Sequence, residues 1–499
     1  PEASPGVGTP FGAGAVPCPA ETAAGPDVRM SRAAVSAVRR SACRRRRFRL
    51  RPAGTAAHPN LQIFTILRTL TFSSGLLLPL FPGVSLTNLG VSSKIFTKWS
   101  ARDRAERFTA MWERVGKNSS DNRRTNRGLV TKMVATGQCT TRSELVRSTG
   151  LSKMTISNIV SELMELGILE EKETVRNEEP GRNPIRLVIS PEAPKVAGLV
   201  ISRDRCECIL CDLNLQVLKR EKATMEDMTE EKLIQTVYQL LDTVLYGEDN
   251  VAAVGVASVG PISIAAGMIL KPFFFFGIQN VKIVQIIQER YHLPVFLDHD
   301  NQSALLAESL YGNAKGYHDV LFIGISEGVG CGIMSDGQLY CNRRGLPPEM
   351  GHVSIDANGK PCPCGNKGCL EAYLRSPELL KKLRYHTGKY YTYEAFGKLE
   401  GDKKVDMIFQ DAVEKLATAT VSTINILNSE LVLLGNDSVY WPDRCVAALE
   451  EEINRRRFVE WEEPVLVKKA YFMQDASLFG SACNAIVQIF SGNLTIERR

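Results

Sequence analysis

Near the middle of the chain one imidazole and three thiols fall close together. The order is Glu349-Met-Gly-His352, nine further residues, then Cys362-Pro-Cys364-Gly-Asn-Lys-Gly-Cys369-Leu-Glu371. One imidazole nitrogen and three thiolates make the closed four-donor set of a structural zinc site, with no position left open for a reacting water. Gly365 and Gly368 let the loop turn tightly around an ion. Packing cysteines sit on apolar strands, not three within eight positions of a Pro/Gly loop. Cys206, Cys208 and Cys211 do lie on a strand pattern, with no histidine near them, and read as packing residues. A metal bound at His352, Cys362, Cys364 and Cys369 would fix the flanking carboxylates of Glu349 and Glu371 into one pocket. The chain has 499 residues and 13 cysteines. That odd number in so long a chain argues against a secreted disulfide framework and for a reducing, cytoplasmic compartment.

A second group of residues suits a nucleic acid. Net charge is only +6, so binding must come from a local surface and not from bulk charge. In Thr141–Gly167 a first helix carries Leu145 and Val146, Gly150 permits a tight turn, and Ser152 can cap a second helix. There Ile156, Ile159, Val160 and Leu163 form one buried stripe. Lys153, Thr155, Ser157 and Asn158 occupy the other face, where they can reach base edges and phosphates in a major groove. A strand-like hairpin follows to Ile189, and Arg182 sits at its Pro/Gly tip, where a wing touches phosphate or enters the minor groove. The alternative is an ordinary helical hairpin with a solvated face.

These groups need elements to hold them. Hydrophobic residues make up 44% and charged residues 23% of the chain, enough for a sizeable core. From Lys195 onward strands and helices alternate, which predicts an α/β arrangement. Strands are expected at Val196–Ile201, Cys206–Leu213, Val251–Ala257, Pro294–Leu297, Val320–Ile325 and Leu431–Leu434. Helices are expected at Glu230–Leu245, Val281–Tyr291, Gln302–Tyr311, Met407–Asn428 and Ser477–Ile489. Residues 1–110 sustain no period and read as a disordered or spurious extension, with Met111 a plausible native start. Within it the arginine run Arg39–Arg51 is an alternative nucleic-acid or targeting segment. Thr69–Ser93 is uncharged and long enough to span a bilayer, but Pro79, Pro82, Gly75 and Gly83 dilute the signal. The Phe273–Phe276 run reads either as a cleft wall or as packing core.

From Asn126 to the C-terminus the sequence resembles the ROK family of repressors, open reading frames and kinases, most nearly its sugar-responsive repressors. The resemblance rests on the His/Cys3 loop and the Glu-x-Gly-His before it. It implies a two-lobed, actin-like (ribonuclease H-like) sugar-kinase fold behind a winged helix-turn-helix, with a sugar in the cleft. The implied division is 120–190 for DNA binding, 195–300 and 301–476 for the lobes, and 477–492 for a helix returning to the first lobe. Glu349, His352 and Glu371 fall on sugar-binding positions. His299 and Asp300 fall on the family's Asn-Asp, Asp300 at the place of the catalytic base. His299 and Gln302 both replace asparagines.

The phosphate-binding positions depart further. Ile201-Ser202-Arg203-Asp204-Arg205 has no glycine where the kinases have Asp-x-Gly-Gly-Thr. Ser326-Glu327-Gly328-Val329-Gly330-Cys331-Gly332 keeps three glycines but puts an anion where a phosphate-facing Thr belongs. Leu434-Gly435-Asn436-Asp437 keeps one. Phosphate cradles need bare backbone N–H groups. The expectation is therefore a cytoplasmic, zinc-containing repressor of carbohydrate catabolic genes. It would be a homodimer or homotetramer that binds operator DNA and a pentose, hexose or amino-sugar effector, and it would not be an enzyme. The alternative is an active ATP-dependent sugar kinase.

Overall fold

The computed structural model describes residues 119–172, 185–340, 345–399, 401–459 and 463–494. The 1–110 extension, the Thr69–Ser93 stretch and Arg182 at the hairpin tip lie outside the described residues.

Three helices open the described chain: α1 (Ser119–Ala135), α2 (Arg142–Thr149) and α3 (Lys153–Glu165). Thr141 and Glu144 form a reciprocal capping box at the start of α2, and Gly150 ends that helix with φ 70°. Ser152 caps α3 by accepting from Thr155 N at 3.1 Å. The stripe Ile156, Ile159, Val160 and Leu163 is buried with Val130, Val134 and Leu145. Strands β1 (Leu169–Lys172) and β2 (Arg186–Ile189) follow as an antiparallel pair, Leu169 opposite Ile189.

The rest repeats one plan twice. The first sheet holds β3 (Lys195–Ile201), β4 (Arg205–Cys211), β5 (Val217–Thr224), β6 (Val251–Ser258) and β9 (Val295–His299), in the order β5-β4-β3-β6-β9. β3, β4 and β5 are an antiparallel meander, while β6 and β9 join in parallel through crossovers. The second sheet holds β10 (Val320–Ile325), β11 (Val329–Ser335), β12 (Gln338–Leu339), β13 (Leu431–Asn436) and β14 (Leu466–Lys469), in the equivalent order β12-β11-β10-β13-β14. Its first three strands are again antiparallel and the last two parallel. A short ribbon, β7 (Ile262–Ser263) with β8 (Met268–Ile269), hangs off the first sheet. This is an α/β actin-like fold with mixed sheets.

Helices α4 (Glu230–Leu245) and α5 (Ile283–Tyr291) cover one face of the first sheet, burying Leu233, Val237, Leu241 and Ile287. A short α7 (Glu371–Leu374), then α8 (Ser376–Thr387), α9 (Lys403–Leu427) and α10 (Asp443–Arg456), cover the outer face of the second. The remaining pair, α6 (Asp300–Tyr311) and α11 (Ala476–Phe490), pack on each other between the sheets. α6 follows the first sheet but leans on β10 and β11. α11 follows the second but lies on β3 and β6. Gly480 makes the approach possible, because a Cβ there would collide with the Ser303 carbonyl. α11 then reaches α1, where Gly128 admits the Phe490 carbonyl.

Helix boundaries shift from the expected ones by a few residues, and α8, α10, β5 and β14 were not among the expected elements. One reading needs correction. Gly330 and Gly332, taken as loop glycines, lie inside β11. Their missing side chains make room for Asn301 and the start of α6. Among the described residues no helix is long and apolar enough to cross a membrane.

Candidate functional site

The loop from His352 to Cys369 folds back on itself. Ser354 and Cys369 form one backbone bridge, Pro361 and Lys367 another. Cys362 N donates to Asn366 O at 2.9 Å. Gly365 has φ 92° and Gly368 φ 67°, and a Cβ on Gly368 would collide with the Asp356 backbone. The turn draws one ligand atom each from His352, Cys362, Cys364 and Cys369 to within 4.8 Å of one another. Cys364 Sγ and Cys369 Sγ are 3.6 Å apart, and Cys362 Sγ is 3.7 Å from His352 Nδ1. Tetrahedral bonds of about 2.3 Å to sulfur place neighbouring donors roughly 3.5–3.8 Å apart. The four side chains therefore fit a metal ion.

His299, Asp300, Glu349, His352 and Glu371 come from three separated segments and line one cavity of about 160 Å³. Asp300 is the first residue of α6. Its Oδ1 accepts from Asn301 N at 2.6 Å and Asn301 Nδ2 at 2.7 Å, and lies 3.1 Å from His299 Nδ1. Glu371 heads α7, and its Oε2 accepts from Val329 N at 3.0 Å. Burial pushes the Glu349 carboxyl up, against the opposing pull of His299 and His352. Gln302 faces elsewhere: Nε2 donates to Tyr340 O at 2.8 Å and Oε1 accepts from Ile333 N at 2.7 Å. Its amide is used to pin α6 to the second sheet. The cavity thus offers fixed carboxylates, imidazoles and amide groups, the mixture that hydroxyls able to both donate and accept require.

Arg203, which sequence reasoning did not place in this cavity, lines it together with Phe273, one of the four phenylalanines read as either cleft wall or packing core. Arg203 Nε donates to Phe273 O at 2.8 Å. The only available signal was the absence of glycine at Arg203.

The three departed phosphate motifs meet around a second cavity of about 90 Å³. Ser202, Arg203, Asp204, Arg205, Ser326, Glu327, Asn436 and Asp437 all contribute, and Asp300 lines both cavities. Pockets for drug-sized ligands measure roughly 300–1,000 Å³. Burial pushes Asp437 up to about 7, with Asp204 and Glu327 adding to the rise against Ser376 and Arg205. Burial and Asp204 likewise raise Glu327. Carboxylates resist ionising where other anions crowd them.

On α3, Lys153, Ser157 and Asn158 are exposed, while Thr155 is half-buried with its hydroxyl 2.8 Å from that of Ser152. Met154 between them is 75% exposed, an apolar group on the same face that the polar pattern did not single out.

A model of the ROK family matches residues 196–487, more than half of the chain. The chain belongs to the ROK family. It is 26% identical to the xylose repressor of Caldicellulosiruptor bescii, over 67% of this chain and 88% of that protein. Among solved structures, a ROK family transcriptional regulator, a homologue of the Escherichia coli Mlc protein, superposes with a TM-score of 0.64. That match has 22% identity and covers 75% of this chain and 98% of the other, a likeness of fold. A ROK hexokinase from Thermus thermophilus superposes with a TM-score of 0.51 at 26% identity, covering 59% of this chain and 99% of its own. The ROK regulators are thus matched almost in full over a larger share of this chain than the ROK hexokinase.

Proposed function

We propose that this chain is a sugar-responsive transcriptional repressor of carbohydrate catabolic genes. The observation that carries the reading is the pairing of the two cavities. One gathers His299, Asp300, Glu349, His352 and Glu371 beside a metal-fitting cluster. Its neighbour, at the phosphate-binding positions, is small and lined by Asp204, Glu327 and Asp437. The name of the Caldicellulosiruptor relative, a xylose repressor, and the greater reach of the regulator alignments support it.

In this reading Zn2+ bound by His352, Cys362, Cys364 and Cys369 is structural. It holds the loop so that Glu349 and Glu371 face the effector, a pentose, hexose or amino sugar. Residues 120–190 are a winged helix-turn-helix that presents Lys153, Thr155, Ser157 and Asn158 to operator DNA, with Arg182 on the wing. Residues 195–300 and 301–476 are the lobes, and 477–492 the returning helix. A homodimer or homotetramer with two-fold symmetry would read half-sites one or more helical turns apart. Asp300 starts α6, α6 packs on α11, and α11 packs on α1. Lys315 Nζ also donates to Thr136 O at 2.9 Å, tying the end of α6 to the end of α1. Sugar-driven closure would shift this chain of packed helices and change the spacing of the reading helices.

Active phosphoryl transfer is the second reading, favoured by Asp300 lining both cavities. A carboxylate there can take a proton from an attacking hydroxyl. Asp204, Glu327 and Asp437 in the smaller cavity oppose a triphosphate, against the attraction of Arg203 and Arg205. Binding to operator DNA, measured across a panel of pentoses, hexoses and amino sugars, tests the proposal: one sugar is expected to weaken binding. Unchanged DNA affinity with every sugar sinks it, and ATP-dependent phosphorylation of any of them establishes the alternative.

A further inference from the structure

The fold divides the Phe273–Phe276 run. Phe275 is the anchor, 1% exposed in the core of the first sheet. Phe274 and Phe276 on either side are exposed and have φ of 56° and 53°. That left-handed region is a true outlier for a bulky side chain, and such outliers persist where surroundings enforce them and collect at ligand clamps. The enforcing contacts are visible. Arg203 Nε donates to the Phe273 carbonyl at 2.8 Å. The Arg375 guanidinium lies 4.7 Å from the Phe274 ring centre. The Phe273 ring meets the His352 ring edge-to-face, centroids 6.2 Å apart at 72°. The outcome is that Phe273 is turned away from the core occupied by Phe275 and into the lining of the larger cavity.

Among the described residues lining that cavity, Phe273 has the only phenyl ring. The remaining lining mixes carboxylates, imidazoles, an amide and the Arg203 guanidinium with the aliphatic side chains of Val259, Pro261 and Val329, none of which has a flat ring face. A ring sugar carries the matching asymmetry: a rim of hydroxyls and a flat patch of C–H groups. An open-chain polyol has the hydroxyls but no fixed apolar face.

We propose that Phe273 is the specificity-determining residue of the cleft, stacking on the C–H face of a closed-ring sugar and so discriminating it from open-chain polyols. Its orientation is set by the left-handed Phe274 and Phe276 and by His352 of the metal loop. The proposal rests on the cleft being a sugar site, and its test separates the two.

The experiment uses the full zinc-loaded chain and isothermal titration with D-xylose, D-glucose and N-acetyl-D-glucosamine against xylitol and sorbitol. The wild type is expected to bind one ring sugar at least tenfold more tightly than any alditol. Phe273→Ala is expected to lose tenfold or more for the ring sugar and to bring the ratio to the alditol towards one, with zinc content unchanged. Phe273→Tyr retains the ratio and Phe273→Leu, which keeps apolar bulk without a flat face, loses most of it. That pair decides the matter if the alanine variant fails to fold. Ring-sugar affinity within twofold of wild type in Phe273→Leu, or equal losses for ring sugar and alditol, overturns the proposal while leaving the sugar site standing. Absence of binding by the wild type to every probe overturns the sugar site and this proposal together.

Discussion

Replacing Asp437 by Asn removes one titrating group from the smaller cavity and keeps an oxygen for Ser376, whose hydroxyl donates to Asp437 Oδ2 at 2.7 Å. Burial chiefly, with Asp204 and Glu327, raises the Asp437 carboxyl from the usual 3.8 to about 7. Between those pH values the folded chain holds a proton that the unfolded chain has released. Stability therefore falls as pH rises through that window. Below about pH 4 both states are protonated and nothing is lost. Above about pH 7 both are ionised and the full cost is present. Each tenfold difference in proton affinity corresponds to about 1.4 kcal/mol, so a gap of roughly three decades sets a ceiling of about 4 kcal/mol. Asp437→Asn is expected to melt with the wild type near pH 4 and several degrees above it at pH 8, the gap opening mainly between pH 5 and 7. Glu327, also raised, titrates in both proteins, and its direct effect on the wild-type curve largely cancels in the difference. Thermal melts of the two proteins, each from pH 4 to 8 at fixed ionic strength, provide the measurement. A difference that is absent at pH 8, or equally large at pH 4, refutes the claim that burial in this cavity holds the Asp437 carboxyl protonated well above its usual range.

Two further outcomes follow from the metal cluster and from the reading helix. Cys364→Ala is expected to abolish stoichiometric zinc and, with it, sugar binding, because His352 and the Phe273 ring it supports lose their anchor; zinc retained on metal analysis contradicts the four-ligand assignment. Lys153→Ala is expected to weaken DNA binding about equally on all sequences and to reduce the slope of log affinity against log salt by about one. An unchanged slope would mean that Lys153 meets no phosphate.

How much was legible in advance differs by residue, for physical reasons. His352, Cys362, Cys364 and Cys369 are near in sequence, and few arrangements other than a metal loop bring such side chains together, so their clustering was readable from spacing alone. The helix stripe from Ile156 to Leu163 was readable because its period matches one face of a helix. Glu349 and Glu371 were placed in one pocket because they flank the metal loop, whereas His299 and Asp300 joined them only through the family resemblance, since no local period links residues that far apart. Arg203 escaped because its place depends on a contact between two loops, Arg203 Nε to Phe273 O, separated by 70 positions. The phenylalanine run was ambiguous for a simpler reason. Four identical side chains carry no pattern, and only the backbone, with left-handed φ at Phe274 and Phe276, assigns one to the core, one to the cleft and two to the surface. Gly330 and Gly332 looked like cradle residues because a missing Cβ serves a phosphate and a neighbouring helix equally well.

The swapped pair α6 and α11 joins these observations. Both helices begin at the smaller cavity: Asp300, the first residue of α6, and Ser477 and Leu478, in the first turn of α11, line it. Helix N-termini carry partial positive charge and attract anions. In a nucleotide-binding relative of this fold that charge would meet phosphate. Here Asp204, Glu327 and Asp437 line the same space, together with Arg203 and Arg205. What remains free to act on α6 is a ligand in the larger cavity, through Asp300 and His299. What remains at the far end of α11 is α1, in contact through Gly128. In the proposed reading, the shift that a ligand imposes on α6 is relayed through α11 to α1.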